Sequence, residues 1–175
     1  MPVALSLRTR SADDTRALGA GLARALRPGD VVLLAGDLGA GKTTLTQGIA
    51  TGLGVTEVVT SPTFTLVRSH PCPPGPSGVR AVLHADLYRL DHLTEVADLA
   101  IGELVEEGAV AVVEWGDVGA PVLGEALVIT LASPPGTEEG ADAPSEERAV
   151  AVSAGGSWTA RAAELAARLG DWSCP

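Results

Sequence analysis

Apolar residues along the chain switch between helical spacing and short continuous runs, the pattern of helices layered on a parallel sheet. After Ser11, leucines and alanines recur at helical spacing until a Pro-Gly pair, which predicts a first helix with Ser11 as N-cap and Asp14 in an approximate capping box. The continuous run Val31–Ala35 predicts a strand that is buried on both faces. Residues 42–53 predict a second helix, which ends before a glycine.

Further apolar and β-branched runs predict five more strands, the last two of them antiparallel edge strands on either side of an acidic, Pro-containing loop. The predicted strands cover residues 63–67, 79–83, 109–115, 126–131 and 149–153. A Pro-rich loop over residues 69–78 separates the first two of these strands. A helix over residues 93–107, broken near Gly102, and a terminal Ala-rich helix capped by Ser157 complete the predicted elements.

A glycine-rich loop, GDLGAGKT, joins the first buried strand to the second helix. It matches the G-x-x-x-x-G-K-[ST] phosphate-binding loop at every fixed position, in the strand–loop–helix context that the motif requires. Glycines let successive backbone N–H groups turn toward phosphate oxygens, and the helix N-terminus favours the same anion. The residues predicted to hold the nucleotide phosphates are Gly36, Asp37, Leu38, Gly39, Ala40, Gly41, Lys42, Thr43 and Thr44.

The chemistry of this motif assigns a role to each polar side chain of the loop. Lys42 is expected to bridge the β- and γ-phosphates, the Thr43 hydroxyl to bind Mg²⁺, and Thr44 to approach the α-phosphate. Lys42 is also the only lysine of the chain, so an incidental lysine in a Gly-rich turn is a poor alternative. Because the N-K-x-D sequence that recognises guanine needs a second lysine, ATP is the expected nucleotide.

The charge of the chain narrows the function further. The formal net charge is −10, and no Lys or Arg lies between Arg89 and Arg148. Direct nucleic-acid binding needs clustered cations, and a small-metabolite kinase usually closes an Arg-rich lid over the transferred phosphoryl group. Both functions are disfavoured, although a kinase and a nucleotide-dependent interaction module with little hydrolysis stay open as alternatives. Arg68 and Arg89 are the cations left for the site, which predicts slow hydrolysis until a partner completes it.

Two acids at the ends of predicted strands are candidates for metal binding and water activation. Glu114 ends the apolar run over residues 109–113, where a Walker B acid normally emerges. Asp86 ends another strand and could be the second acid, and the alternative is a surface pair with Arg89. The sequence does not decide which acid orders the attacking water.

Other residues near these positions have two interpretations. Thr63 lies in a Ser-Pro-Thr-Phe-Thr segment that could sense a γ-phosphate, and a turn before a strand explains it equally well. Trp115 either packs in the core or forms a wall of the nucleotide or partner site. His70, His84 and His92 lack the spacing of metal ligands and are expected to be surface or packing residues.

Four motifs, GDLGAGKTTLTQGIA, SPTFTLV, HADLYRL and VVEWGD, resemble in order and spacing the TsaE (YjeE) family of bacterial ATPases over roughly residues 10–131. The resemblance implies a part in forming threonylcarbamoyladenosine on ANN-decoding tRNAs. It implies partners TsaD and TsaB, with ATP and Mg²⁺ as cofactors, and contact with tRNA only through these partners. The site residues that it implies are Lys42, Thr43, Thr63, Asp86, Glu114 and Trp115.

These observations together predict a three-layer P-loop NTPase fold, with a mainly parallel central sheet, antiparallel edge strands and one domain over residues 1–175. The helix after the loop is expected to pack Leu45, Ile49 and Leu53 on the sheet. No window approaches the roughly 18 consecutive apolar residues of a membrane span, and the N-terminus does not resemble a secretory signal, so a cytoplasmic protein is expected. Cys72 and Cys174 are expected to be free thiols.

Overall fold

The structure, a computed structural model, describes residues 3–62, 66–88, 100–115, 123–134 and 145–174. Its strands are β1 Val3–Thr9, β2 Val31–Ala35, β3 Val67–Pro71, β4 Ala81–Asp86, β5 Val110–Glu114, β6 Leu127–Ala132 and β7 Arg148–Ala154. Its α-helices are α1 Ala12–Ala23, α2 Lys42–Gly52, α3 Ile101–Glu106 and α4 Ala162–Leu169, with short 3-10 helices at Gly156–Arg161 and Gly170–Trp172. None of the described helices is long and apolar enough to cross a membrane.

The seven strands form one sheet in the order β1-β7-β6-β2-β5-β4-β3. β6, β2, β5 and β4 run parallel to one another, while β1, β7 and β3 pair antiparallel at the two sides. This arrangement confirms the predicted mixed sheet with a parallel centre. The placement of β6 corrects the prediction of an edge strand, because β6 pairs with β2 and belongs to the parallel set.

Alternation along the buried strands decides which side chains meet which helices. In β2, Val32 and Leu34 belong to a core cluster that contains residues of α1, α2 and α4. Val31 and Leu33 point to the opposite face, where they share a second cluster with Ile101 of α3. Helices therefore cover both faces of the sheet, which confirms the three-layer α/β fold.

The helix after the glycine loop packs on the sheet as predicted. Leu45, Ile49 and Leu53 are all buried in the cluster that contains β2 and β5. Their spacing of about one helical turn places them on one face, so α2 packs on β2 and β5. The glycine loop therefore joins two elements, β2 and α2, that are both packed in the same buried cluster.

Two strands differ from the sequence prediction. β1 is not predicted, although its residues alternate between buried and exposed positions, as in a strand that is buried on one face. β3 occupies Val67–Pro71, part of which is predicted as a Pro-rich loop, and the preceding Leu66 has a left-handed φ of 60°. A proline is tolerated at the end of β3 because this strand lies at the edge of the sheet. Residues 63–65 of the predicted strand lie outside the described residues.

The helix ends show which capping predictions hold. Ser11 is the N-cap of α1 and accepts the N–H of Asp14 at 3.1 Å, which confirms the prediction. The Asp14 carboxylate accepts the N–H of Arg10 at 2.8 Å, so the capping box is shifted by one residue. The predicted cap at Ser157 is wrong, because a 3-10 helix with Gly155 as N-cap precedes α4.

The acidic helix and the cysteines complete the comparison with the sequence. Gly102 lies inside α3, so the predicted break near Gly102 is wrong, and the N-cap of α3 is Ala100, which has a left-handed φ of 52°. The predicted helical residues 93–99 lie outside the described residues. Cys72 and Cys174 are both free thiols, as predicted, and burial raises the pKa of the Cys72 thiol.

Glycines allow α1 and α2 to cross at very short range. A Cβ on Gly19 would lie 2.5 Å from the carbonyl oxygen of Leu45, and one on Gly48 would collide with the carbonyl oxygen of Arg16. Each helix thus presents a glycine to the backbone of the other. This close crossing holds the middle of α2, the helix that follows the glycine loop, against α1.

We expect Gly48→Ala to lower the free energy of unfolding by about 1–3 kcal/mol, because the methyl group overpacks a backbone contact that cannot retreat. Gly102→Ala is the matched control: Gly102 is also helical, but its Cβ would meet no atom within 4 Å. This control should be neutral or stabilising by at most about 1 kcal/mol. Urea denaturation of both variants measures the difference, and equal stabilities would contradict the proposed crossing.

Candidate functional site

The glycine loop and two acidic residues meet because three parallel strands end at the same edge of the sheet. Leu34 in β2 is in register with Glu114 in β5, and Glu114 is in register with Asp86 in β4. Side chains two residues apart share a face, so Glu114, Asp86 and His84 all lie on the α2 side of the sheet. The N-terminus of α2 begins at the same edge, with Lys42 as its first residue.

The loop conformation depends on glycine at two fixed positions of the motif. Gly36 has φ 137°, and a Cβ there would collide with the carbonyl oxygen of Leu131 in β6. Gly41 has φ 101° and forms the N-cap of α2 without any side-chain cap. The N–H groups at the start of α2 are therefore not covered by a capping side chain, which is the condition for binding an anion at a helix N-terminus.

The Lys42 side chain lies folded into the loop. Its ammonium donates to the carbonyl oxygens of Gly36 at 2.6 Å and Asp37 at 2.8 Å. The same nitrogen lies 4.0 Å from the centroid of the Trp115 ring, within the range of a cation–π contact. Burial lowers the pKa of Lys42, and the charges of Glu114, Asp86 and Asp37 partly oppose this shift. The glycine loop thus holds a buried amine group, whose charged form attracts negatively charged ligands.

Glu114 is a buried carboxylate with two donors on one oxygen. The Thr43 hydroxyl donates to Oε1 at 2.8 Å, and Nε2 of His84 lies 2.7 Å from the same atom. His84 is fully buried, and its Nδ1 has no hydrogen-bond partner among the described residues. The arrangement is consistent with Nε2 as the donor to Glu114. The carboxylate is thus held between the glycine-loop helix and β4.

Asp86 lies beside Glu114 on the adjacent strand β4 and is held by other partners. The Ser61 hydroxyl donates to its Oδ2 at 2.7 Å, and the backbone N–H of Tyr88 donates to its Oδ1 at 3.1 Å. The Ser61 bond connects Asp86 to the segment that leads into the predicted switch. The alternative surface pair with Arg89 involves a residue outside those that the structure describes.

A cavity of about 430 Å³ opens at this edge of the sheet. Its lining residues are Leu38, Gly39, Gly41, Lys42, Thr43, Thr44, Ser61, Leu66, Asp86, Tyr88, Glu114 and Trp115. Leu66 and Trp115 both have φ 60°, an uncommon conformation for residues with large side chains. Trp115 packs partly on the core and also stacks at 5.3 Å, tilted by 51°, on Tyr88. Its ring is therefore a core contact and also a wall of this cavity, while its role at a nucleotide or partner site stays a prediction.

The structure brings most of the predicted site residues together. Five predicted side chains, those of Lys42, Thr43, Asp86, Glu114 and Trp115, line one cavity. Thr63 lies outside the described residues, so its switch role stays a prediction. The candidate cation Arg68 is exposed and lies 3.5 Å from the Thr60 hydroxyl, away from the cavity lining.

Two contacts of this site were not predicted from the sequence. His84 is buried, which agrees with the packing alternative, and it also contacts Glu114, a contact that the sequence did not predict. The signal that could have found it is its position two residues before Asp86 in a strand, which places both side chains on one face. Ser61 bonds Asp86 through its hydroxyl, a contact that only the folded chain creates.

The other two histidines do not belong to this cavity as the structure describes it. His70 is buried against Glu57, away from the cavity, and His92 lies outside the described residues.

The residues at this site fit a magnesium nucleotide by their chemistry. Oxygen ligands suit Mg²⁺, and the Thr43 hydroxyl and the Glu114 and Asp86 carboxylates provide them beside the loop. Backbone N–H groups, the α2 N-terminus and the Lys42 ammonium suit phosphate oxygens. The site thus contains N–H and ammonium groups that suit an anion and oxygen atoms that suit its metal.

A parallel strand, a glycine loop with its lysine, a following helix and acids at the neighbouring strand ends define the P-loop class of α/β proteins. The family described as threonylcarbamoyl adenosine biosynthesis protein TsaE matches residues 9–139. The chain belongs to this family.

Relatives and a solved structure agree with this assignment. The chain is 42% identical over 111 residues to the tRNA threonylcarbamoyladenosine biosynthesis protein TsaE of Bacillus subtilis, covering 63% of this chain and 66% of that protein. It is 50% identical over 104 residues to the protein of that name from Streptomyces coelicolor, covering 58% and 67%. The match to the Treponema pallidum protein is 42% identical over 120 residues and covers 69% and 84%. The chain thus spans about two thirds of the first two relatives' length.

The fold is similar to the crystal structure of Bacillus subtilis YdiB. The two share 31% sequence identity with a TM-score of 0.68, over 98% of this chain and 97% of that one. This likeness includes the regions beyond the family match, so β7 and α4 belong to the shared architecture.

Proposed function

We propose that this chain binds ATP with Mg²⁺ in the cavity at the end of β2 and hydrolyses it in support of tRNA threonylcarbamoylation. The observation that carries the proposal is the meeting of the Lys42 ammonium, the Thr43 hydroxyl and the Glu114 carboxylate at the N-terminus of α2. An ammonium and free helix N–H groups select a polyphosphate, and an adjacent carboxylate provides for its metal and for water.

The chain's own groups divide the work of binding. Lys42 would exchange its contacts with the carbonyls of Gly36 and Asp37 for phosphate oxygens. Thr43 would present its hydroxyl oxygen to the metal while its O–H still donates to Oε1 of Glu114. Magnesium, when bound, neutralises charge on the phosphate oxygens. Trp115 shields the ammonium from water on the side away from the loop.

Glu114 is the favoured group for ordering the attacking water. Its Oε1 is occupied by Thr43 and His84, and no described residue donates to its Oε2. Since a carboxylate oxygen without a donor can accept a water proton, Oε2 is the atom assigned to this step. Asp86 already accepts bonds on both oxygens, from Ser61 and Tyr88, and is assigned to metal binding and to positioning.

Hydrolysis by the isolated chain should be slow. Among the described residues that line the cavity, Lys42 is the only cation, so little charge stabilisation reaches the phosphoryl group in the transition state. We propose that a protein partner supplies what is missing. The family assignment makes TsaD and TsaB the proposed partners, with tRNA reached only through them, in the cytoplasm. The net charge of −10 agrees with such indirect contact.

Lys42→Ala should abolish nucleotide binding and multiple-turnover tRNA threonylcarbamoylation in a system reconstituted with TsaB and TsaD, because the loop loses its only ammonium. Arg80→Ala, which removes an exposed cation next to the opposite end of β4, is the control and should retain both activities. Calorimetry and modified-nucleoside analysis measure the two effects. Unimpaired modification by the Lys42→Ala variant would overturn the assigned function.

Glu114→Gln should keep Mg-ATP affinity within about tenfold and reduce turnover about 100-fold or more, because the amide cannot accept the water proton. Glu103→Gln, on the exposed surface of α3, removes the same charge away from the cavity and serves as the control. Phosphate release under saturating ATP is the measurement. Turnover unchanged by Glu114→Gln would instead favour a nucleotide-dependent interaction module.

His84→Leu should lower kcat roughly 10- to 100-fold with little change in KM, because Glu114 loses a donor that fixes its orientation. His84→Gln can place an amide N–H near the position of Nε2 and should restore most of kcat. His70→Leu is the matched control. His70 lies on the neighbouring strand β3, and it is also buried and paired with one glutamate, Glu57. Equal kcat in the Leu and Gln variants of His84 would exclude this positioning role.

A further inference from the structure

Arg148 contacts the backbone of the glycine loop and is not among the residues that line the cavity. It is the first residue of β7, beyond the residues 9–139 that the family match covers. Its Nε donates to the carbonyl oxygen of Ala40 at 2.9 Å, and its Nη2 donates to that of Gly39 at 3.2 Å. One edge of the guanidinium therefore holds two successive carbonyls of the loop.

The other edge of the guanidinium fixes Arg148 itself. Its Nη1 donates to the carbonyl oxygens of Ser145 at 2.6 Å and Glu147 at 2.7 Å. All of these contacts are with backbone carbonyls, and no ion pair of the described residues includes Arg148, whereas the neighbouring Arg8 pairs with Glu147 at 2.7 Å. Arg148 thus links the loop to the segment before β7 while its positive charge is not neutralised by a described carboxylate.

The geometry of the peptide unit turns this contact into a constraint on the anion site. In a trans peptide the C=O and the following N–H point in opposite directions. With the Ala40 carbonyl held by Arg148, the N–H of Gly41 points away from the guanidinium, and Gly41 itself lines the cavity. The N–H of Ala40 is likewise fixed, and it donates to the carbonyl of Asp37 at 3.0 Å within the loop.

Glycine makes such a restraint necessary. Gly39 and Gly41 have φ 78° and 101°, and residues without a side chain can rotate the peptides between them at little cost. A rotated peptide would present its carbonyl oxygen, and not its N–H, to the ligand. Such an oxygen repels phosphate, so the orientation of these peptides sets the affinity of the loop for anions.

We infer that Arg148 is a positioning residue that holds the loop in its phosphate-binding conformation and sets the affinity for the polyphosphate of the nucleotide. This inference rests on the proposed binding of ATP. It assigns to β7, at the other side of the sheet from Asp86, a part in nucleotide affinity but none in the chemical step.

The test compares Arg148→Met and Arg148→Lys with Arg8→Met as the matched control, because Arg8 is an exposed arginine on the adjacent strand β1 whose described partner is Glu147. Calorimetry with Mg-ADP and with Mg-ATP should show about 10- to 100-fold weaker binding for Arg148→Met, since two charge-assisted hydrogen bonds are lost. Arg148→Lys, with one ammonium in place of the fork, should weaken both by about threefold or more. Arg8→Met should stay within about twofold, as exposed ion pairs contribute little.

Steady-state hydrolysis provides the readout that a merely structural role would not give. For Arg148→Met, KM should rise with the dissociation constant while kcat stays within about threefold, because a loop restraint acts equally on ground state and transition state. A fall in kcat at unchanged KM, or affinities equal to the wild type in both Arg148 variants, would overturn the inference. Failure of the wild-type chain itself to bind either nucleotide would overturn the proposed function instead. If Arg148→Met does not fold, the affinity of Arg148→Lys decides.

Discussion

The carboxylate of Glu114 is the point at which the fold and the site depend on each other. A buried carboxylate is stable only when donors replace the water that it loses, and here both donors come from other elements. Thr43 reaches it from the first turn of α2, and His84 reaches it from β4. Both hydrogen bonds of this carboxylate therefore require the strand register that aligns β2, β5 and β4. A shift of one residue would turn Glu114 to the other face of the sheet.

The glycine loop, whose peptide units can rotate easily, therefore lies next to the buried central strands of the sheet. The strands below the loop are fully buried on both faces, and α2 is held against α1 by a glycine contact on each helix. The loop itself contains three glycines with positive φ and no capping side chain. Besides its internal hydrogen bonds, its shape therefore depends on groups outside it, namely the carbonyl of Leu131 behind Gly36 and the guanidinium of Arg148 behind Gly39 and Ala40.

Features that depend on neighbouring residues could be predicted from the sequence. Contacts that depend on how distant strands align in the sheet could not. The glycine loop, β2, β5 and α2 follow from continuous patterns within a few residues, and the strand-end acid Glu114 follows from β5. The bond between His84 and Glu114 joins residues 30 positions apart, and the bond between Arg148 and Ala40 joins residues 108 apart. No pattern along the chain specifies such pairs. β6 was misplaced for the same reason, because nothing local distinguishes an edge strand from one that inserts beside β2.

Charge shows why geometry matters more than composition at this site. A chain with a net charge of −10 repels a polyphosphate at long range, but salt screens that repulsion over about 8–10 Å. Inside the cavity the nearest groups decide, and these are the Lys42 ammonium, the N–H groups of the loop and the uncovered N-terminus of α2. Burial favours the neutral form of Lys42, whereas the carboxylates of Glu114 and Asp86 favour its charged form. The same two acids that would guide a metal thus help to keep the cation charged, so the acidic and basic halves of the site require one another.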